Sequence, residues 1–376
     1  MPINSILRMN NNIVCYTAHR VFNGHVMLPF YGVIVEDGII KAVMPQVSID
    51  KDIPVVDLGD VCIVPAFIDL QLYGAHGRLL NVYPDAQTVE EIYKYSAAGG
   101  AAFCMPTVAT HPYPVIFACV DAVRDYWAKG GKGVLGLHAE GPWLNPDKRG
   151  AHNKEWMFSP TVEQAKELLD YGKGVIKIIT LAPEVCSQEV IELIKSYDVV
   201  VSAGHSNATY EQATHAFDKG IRAATHLYNA MSSFLHRAPG LVGACFNHIG
   251  VASSLVPDGH HVDFAAIKVA KKMMEERLFV ITDSVTETNE GFYQHAFEGD
   301  KYTSKGVLSG SALTMAKSVR NLVNHVGIEL SEALRMCSLY PARVMNMSDE
   351  LGMIREGHLA KMAVLDGDMN VVRLID

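Results

Sequence analysis

Short apolar, β-branched runs alternate with stretches of helical spacing from residue 62 to residue 283. Runs at 62–71, 101–108, 133–140, 175–181, 199–205, 223–226, 250–256 and 278–283 read as strands. Between them, 88–98, 113–129, 161–171, 187–196, 209–219 and 264–276 read as amphipathic helices. A β–α unit repeated eight times predicts a parallel α/β barrel rather than an open sheet. Further helical patterns at 311–325 and 331–338 follow the eighth strand. The ends of the chain have a different texture. Strands are predicted at 12–16, 21–22, 31–36, 39–43 and 55–57, punctuated by Asn23-Gly24 and Asp37-Gly38 turns. Gly352-Met353-Ile354, Gly357-His358 and the apolar Ala363-Val364-Leu365 continue that texture near the C-terminus. Two β-rich ends around an α/β middle predict one small β domain, 1–60 with 350–376, beside a barrel at 61–349. No short repeat or low-complexity tract interrupts the pattern.

The polar residues within the apolar runs are not scattered. Gln71, Glu140, His205, His226 and Asp283 all fall at predicted strand C-termini, which form the catalytic face of such a barrel.

Composition narrows the function. A chain of 376 residues, 49% hydrophobic and 19% charged, can bury a large core and has little room for disorder. Its net charge of −9 argues against a nucleic-acid partner. No apolar run reaches membrane-spanning length, so no membrane partner is expected. The seven cysteines are dispersed and never form a Cys-x-x-Cys pair, the usage of a reducing compartment. The first residues lack a charged stretch followed by a long apolar one, and a cytoplasmic location is the expectation.

The chemistry lies in four segments. Glu140 in His138-Ala139-Glu140-Gly141-Pro142 precedes a Gly-Pro that stops the strand, so its carboxylate faces the loop side. Its alternative is a turn carboxylate paired with an arginine. His205 in Ala203-Gly204-His205-Ser206 and His226 in Thr225-His226-Leu227-Tyr228-Asn229-Ala230 each read singly as satisfied core histidines. Three such residues at equivalent positions of neighbouring strands point instead to a metal. One carboxylate and two imidazoles suit Zn²⁺ or Fe²⁺ with a coordination position left open for water. Asp283, ending Phe279-Val280-Ile281-Thr282-Asp283, is a general base beside that site, with a fourth ligand or a helix N-cap as its alternatives. That set describes a hydrolase. For an anionic group on the substrate, Arg237, His261 and the backbone of Asn229 and Ala230 are candidates, although a loop arginine is commonly just solvated. Leu308-Ser309-Gly310-Ser311 reads either as pocket lining or, the stronger reading in isolation, as the cap of the helix after it.

Together these blocks resemble the amidohydrolase superfamily, and within it the N-acetylglucosamine-6-phosphate deacetylases. The resemblance runs along nearly the whole chain. It also includes Pro65-Ala66-Phe67-Ile68-Asp69-Leu70-Gln71, Gly150-Ala151-His152-Asn153, Pro239-Gly240-Leu241 and Asp258-Gly259-His260-His261-Val262-Asp263. It implies a distorted (β/α)₈ barrel of TIM type with a small β-sandwich domain built from both chain termini. It implies one divalent metal per subunit on Glu140, His205 and His226, with Zn²⁺ ahead of Fe²⁺. Asp283 is then base and afterwards acid, and His152 polarises the acetyl carbonyl. Asn229, Ala230 and His261 hold the sugar phosphate, joined by Arg237 from a neighbouring subunit, which makes the protein a homodimer. Ala151, Leu308, Ser309 and Gly310 contact the sugar. The implied reaction releases acetate from N-acetylglucosamine 6-phosphate.

Two departures from the family pattern stand out. Many amidohydrolases carry His-x-His at the end of the first barrel strand, where this chain has Gln71-Leu72-Tyr73. Without those imidazoles one metal is expected rather than two, unless His76 serves as a ligand. Ser284-Val285-Thr286-Glu287-Thr288 lacks the small residues expected after the aspartate, which bears on substrate detail. The alternatives are the galactosamine epimer of the same substrate, a cyclic-amide hydrolase with no phosphate pocket, and a non-catalytic sugar-phosphate sensor.

Overall fold

In a computed structural model of the protein, which describes residues 13–375, all eight predicted barrel strands are present. Residues 1–12, and with them Asn12 as a strand start and the reading of the chain's first residues, lie outside the described residues. The strands are β1 (Phe67–Leu72), β2 (Ala101–Ala109), β3 (Leu137–Glu140), β4 (Ile176–Leu181), β5 (Val200–Ala203), β6 (Ala223–Ala224), β7 (Ala252–Leu255) and β8 (Leu278–Val280). They pair in parallel in chain order, β1 to β8. Strands buried on both faces have no polar side to alternate with, which is why they read as continuous apolar runs.

The ring closes between β8 and β1 by few bonds. Asp283 donates its backbone N–H to Gln71 O at 3.0 Å, and Tyr73 donates to Ser284 O at 2.9 Å. Asp69 completes the seam with its side chain: Oδ1 accepts the Thr282 N–H at 3.1 Å, and Oδ2 accepts the Thr282 hydroxyl at 2.5 Å. The last strand is therefore held to the first partly by a buried carboxylate, immediately below the mouth of the barrel.

The intervening helices begin where their sequences provide caps. Thr161 with Gln164, and Thr209 with Gln212, form capping boxes at the starts of Val162–Tyr171 and Tyr210–Asp218. Ser187 and Asp263 cap Gln188–Ser196 and Phe264–Met274.

The smaller domain is a mixed β-sandwich of seven strands from both ends of the described chain. Ile13–Phe22 and Met27–Glu36 are its longest pair. Met362–Leu365 and Val371–Ile375 join from the C-terminal side. The predicted strand 62–71 is two strands. Cys62–Pro65 pairs with Ile13–Phe22 and Met362–Leu365 in the small domain, and the chain enters the barrel only at Phe67. Apart from Asp69 and Gln71 the run is apolar because both halves are buried, so composition alone did not reveal the break at Ala66.

A second correction concerns residues 307–325. Leu308, Ser309, Gly310 and Ser311 do not cap a helix. They form the strand Val307–Ser311, last of a three-stranded antiparallel sheet with Ala296–Glu298 and Lys301–Ser304. Ser311 is spent on the barrel, donating its N–H to Asp283 O at 3.0 Å, and Thr314 caps the helix Met315–Asn321. All seven cysteines are free thiols, six of them buried. Among the described residues no helix is long and apolar enough to cross a membrane.

Candidate active site

The chain turns sharply as it leaves four barrel strands, and each turn presents one side chain to the mouth. Glu140 ends β3 and is followed by Gly141 at φ 88°. His205, His226 and Asp283 themselves take left-handed backbone, at φ 47°, 37° and 53°. For residues with a Cβ this costs of order 1–3 kcal/mol each and persists only where surrounding bonds enforce it. Those bonds are present: Asn145 N donates to His205 O at 2.9 Å and His226 N to Ser254 Oγ at 2.8 Å, and Asp283 is held on both sides at the seam.

Glu140, His205 and His226 converge in the buried mouth. Glu140 Oε1 lies 3.3 Å from His205 Nε2 and 3.0 Å from His226 Nε2, and the two imidazole nitrogens are 3.1 Å apart. Burial works to raise the Glu140 carboxyl, but the His152 and His205 imidazoles overcome it and hold it well below the usual range. Burial, with His152 beside it, pushes His205 down to about 4, so its ring is neutral at physiological pH. His205 Nδ1 lies 2.9 Å from the Lys148 carbonyl. A carbonyl only accepts, so Nδ1 carries the hydrogen and the Nε2 lone pair points at the triad. An anionic oxygen and two imidazole nitrogens aimed at one point form the donor set of a divalent cation. The residues present fit one such ion.

Asp283 sits beside the triad. Gln71 Nε2 donates to its Oδ1 at 2.7 Å, to Tyr73 Oη at 2.8 Å and to Glu140 Oε1 at 3.2 Å. Tyr73 donates its hydroxyl to Glu140 Oε2. Burial raises the Asp283 carboxyl, and the Glu140 charge adds to this against the opposing pull of His226 and His261. A carboxylate raised in this way can hold a proton once it has accepted one. His152 Nε2 approaches Glu140 Oε2 at 3.0 Å, and the Thr110 backbone N–H donates to His152 Nδ1 at 3.3 Å. Thr110 Oγ1 also lies 2.9 Å from Nδ1; with Nδ1 accepting from the backbone N–H, the hydrogen of His152 sits on Nε2, facing the mouth. Asp258 fixes His261, accepting from its Nδ1 at 2.6 Å and its backbone N–H at 2.8 Å, and His261 Nε2 stands 3.7 Å from Asp283 Oδ2.

Ala151, Asn229, Ala230, His261, Leu308 and Ser309 line the same cleft as the triad, Asp283 and His152. Gly310 lies behind this wall, where a Cβ would come within 2.5 Å of Val285. The Asn229 backbone N–H is already committed to His226 O at 2.9 Å. Arg237 is exposed on the turn around Leu235 and Ala238 and does not line its own chain's cleft. His76 is also outside, paired with Glu91 at 2.8 Å. His138, two residues before Glu140, points deeper into the barrel between Leu70 O and Thr180 Oγ1.

Several residues in the cleft carried no predicted role, Tyr73, Tyr293 and His295 among them. Tyr73 binds Glu140, and its signal was the period-two spacing from Gln71. Tyr293 ties the His152 loop down, donating to Thr110 O at 2.8 Å and accepting from Asn153 N at 3.3 Å. His295 faces the cleft beside Ser309. The last two lie in the 284–311 segment, where no periodicity marked them.

The profile of the amidohydrolase family matches residues 62–375, and that of the NagA composite domain matches residues 15–60. The chain is 33% identical over 372 residues to the N-acetylglucosamine-6-phosphate deacetylase of Haemophilus influenzae, covering 96% of both chains. It is 32% identical over 370 residues to the N-acetylgalactosamine-6-phosphate deacetylase of Escherichia coli O157:H7, covering 95% of this chain and 96% of that one. Among solved structures, the N-acetylglucosamine-6-phosphate deacetylase of Pasteurella multocida matches with a TM-score of 0.92 at 32% identity. That match covers 96% of this chain and 98% of the other.

Proposed function

The chain belongs to the amidohydrolase family, as a deacetylase acting on an N-acetylhexosamine 6-phosphate, and from that premise we propose that its substrate is N-acetylglucosamine 6-phosphate. The products are glucosamine 6-phosphate and acetate. The observation carrying this reading is the meeting of Asp283 with the Glu140, His205 and His226 triad in one buried cleft.

Glu140, His205 and His226 would hold one divalent cation per subunit, Zn²⁺ ahead of Fe²⁺, and when bound it would supply Lewis-acid polarisation and a water nucleophilic at neutral pH. Asp283 accepts the proton of the attacking water while Gln71 Nε2, at 2.7 Å from Oδ1, keeps the carboxylate oriented. As the C–N bond breaks, Asp283 returns that proton to the departing amine. His152 Nε2–H, its other nitrogen occupied by Thr110, donates to the oxygen on which negative charge develops. Ala151, Leu308 and Ser309 contact the sugar, and Gly310 backs the wall they form. Asn229, Ala230 and His261 hold its phosphate, together with Arg237 of a neighbouring subunit in a homodimer. Exposed Phe234 and Leu235 beside Arg237, at 57% and 58%, suit a face that a second subunit covers.

The gluco assignment draws on the substrate in the Haemophilus and Pasteurella proteins' names. The 32% identity to the Escherichia coli protein favours the galacto epimer as the second reading. The test is acetate release by metal-analysed protein from the 6-phosphates of both epimers and from unphosphorylated N-acetylglucosamine. Release confined to the gluco phosphate is expected. Release confined to the galacto phosphate replaces the substrate, and no release from any of the three with metal bound overturns the reading.

A further inference from the structure

The segment between β8 and Thr314 is the least expected part of the site, and its geometry is specific. Val307–Ser311 runs alongside the residue that carries the catalytic carboxylate, its Ser311 N–H donating to the Asp283 backbone carbonyl at 3.0 Å. His295 comes from the same excursion. Its backbone is clamped in both directions to Thr288, N–H to O and O to N–H, each at 3.0 Å. The residue is 6% exposed and lines the cleft together with Leu308 and Ser309. Nδ1 is 2.8 Å from Ser309 Oγ, which fixes the rotation of the ring. Nε2 has no protein partner among the described residues. Burial pushes the imidazole down to about 4, so it is a neutral group with one hydrogen-bonding position uncommitted.

On the cleft side its company suits a hydroxyl rather than an anion. Val285, Leu308 and Ser309 line the cleft with it and carry no charge, and the charged groups of the cleft gather at Glu140 and Asp283, whereas Glu287 and Lys305 line a separate cavity on its other side. With the acetamido group on C2 at the triad and the phosphate on C6 held elsewhere, the pyranose is anchored at C2 and C5, across the ring from each other. Two edges remain, C3–C4 and the anomeric edge. The anomeric centre interconverts in water, so only C3 and C4 offer a stable configuration for a fixed imidazole to read.

We infer that His295, held by Ser309 and Thr288, is a specificity-determining residue that hydrogen-bonds a hydroxyl on the C3–C4 edge of the sugar. This rests on the N-acetylhexosamine 6-phosphate reading given above. One hydrogen bond to a substrate hydroxyl corresponds to about tenfold in kcat/KM. The experiment compares wild type, His295→Phe and His295→Gln on N-acetylglucosamine 6-phosphate, its C4 epimer and its 3-deoxy analogue. Thermal melting confirms that each variant folds. His295→Phe is expected to lower kcat/KM about tenfold on the better epimer, chiefly through KM. The loss should vanish on whichever compound lacks or inverts the hydroxyl being read, and His295→Gln should recover part of it. Equal losses on all three compounds make His295 a structural residue only, and no loss on any leaves it outside substrate recognition. Either result overturns the inference while the deacetylase reading stands. Wild type inactive on all three with metal bound overturns that reading, and this inference with it.

Discussion

Asp69 reaches across the barrel seam to hold Thr282 by both its backbone N–H and its hydroxyl, one residue before Asp283. The closure of the barrel and the placement of the catalytic carboxylate are thus one structural event. Burial pushes the Asp69 carboxyl up to about 7, the Thr282 and Gln71 bonds opposing it and the Asp283 charge adding to it. The folded protein therefore binds this proton more tightly than the unfolded chain, where the group has its ordinary value of 3.8. The resulting stability is complete below the unfolded value and is lost as pH rises through about 7. Asn at this position mimics the protonated side chain without titrating. Guanidinium unfolding at several pH values is expected to show wild type losing ground to Asp69→Asn between pH 5 and pH 8. A difference independent of pH means that Asp69 ionises alike in both states. Asp69→Ala, which strands both Thr282 groups, should destabilise by about 2–4 kcal/mol at acidic pH, the gap to wild type narrowing as pH rises through about 7.

Asp283 is assigned to proton transfer and not to the ligand set. Asp283→Asn is expected to lower kcat by about 10³-fold, within the range of a positioned acid–base group, with KM little changed. Metal content by plasma mass spectrometry should remain that of wild type. Loss of the metal along with activity would make Asp283 a fourth ligand instead.

The architecture was legible because a parallel strand buried on both faces must be apolar throughout, and a site residue must end it. Glu140 before Gly141-Pro142 announces such an end. Other features have no local signature. Nothing in the neighbours of His205, His226 or Asp283 signals a left-handed turn, because that conformation is imposed by bonds such as His226 N to Ser254 Oγ from the next strand. The Asp69 clip joins residues 213 apart in sequence. The break at Ala66 hides inside one mostly apolar run, since Cys62 and Val64 share the main core with Phe67 and Ile68, and only Ile63 turns into the core of the small domain. Ser311, in a Ser-rich stretch before a helical pattern, looks like a cap. It is instead drawn into the barrel by Thr282 and Asp283, leaving the cap to Thr314.

Tyr73 stands where many amidohydrolases place the second histidine of their first-strand pair, and here it donates to Glu140 Oε2. Burial, reinforced by the Glu140 and Asp283 charges, pushes its hydroxyl well above the ordinary value, so it stays a donor across the working pH range. Partners that orient a metal ligand affect affinity by about 10–100-fold. Tyr73→Phe is therefore expected to weaken metal binding by that factor in competition with a chelator, and excess metal should restore much of the activity. Unchanged affinity would mean that the hydroxyl orients nothing the cation feels.

Arg237 poses the sharpest question about assembly, because it is exposed and absent from its own cleft, yet the reading needs a cation for the phosphate. A charge-assisted contact of this kind is worth about 1.5–3 kcal/mol, so Arg237→Ala should raise KM about 10–100-fold with kcat nearly intact. Light scattering should find a dimer. The decisive measurement mixes two crippled proteins. Arg237→Ala subunits keep Asp283 but lack the cation, and Asp283→Asn subunits keep the cation but lack the base. If the arginine acts across the interface, a hybrid dimer contains one site with Asp283 from one subunit and Arg237 from the other. Random re-association makes about half the dimers hybrid, each with one competent site of two, so activity at low substrate should recover to about a quarter of wild type. An arginine serving its own subunit's site gives no such site in any combination, and the mixture would then show only the average of its two impaired parents at low substrate.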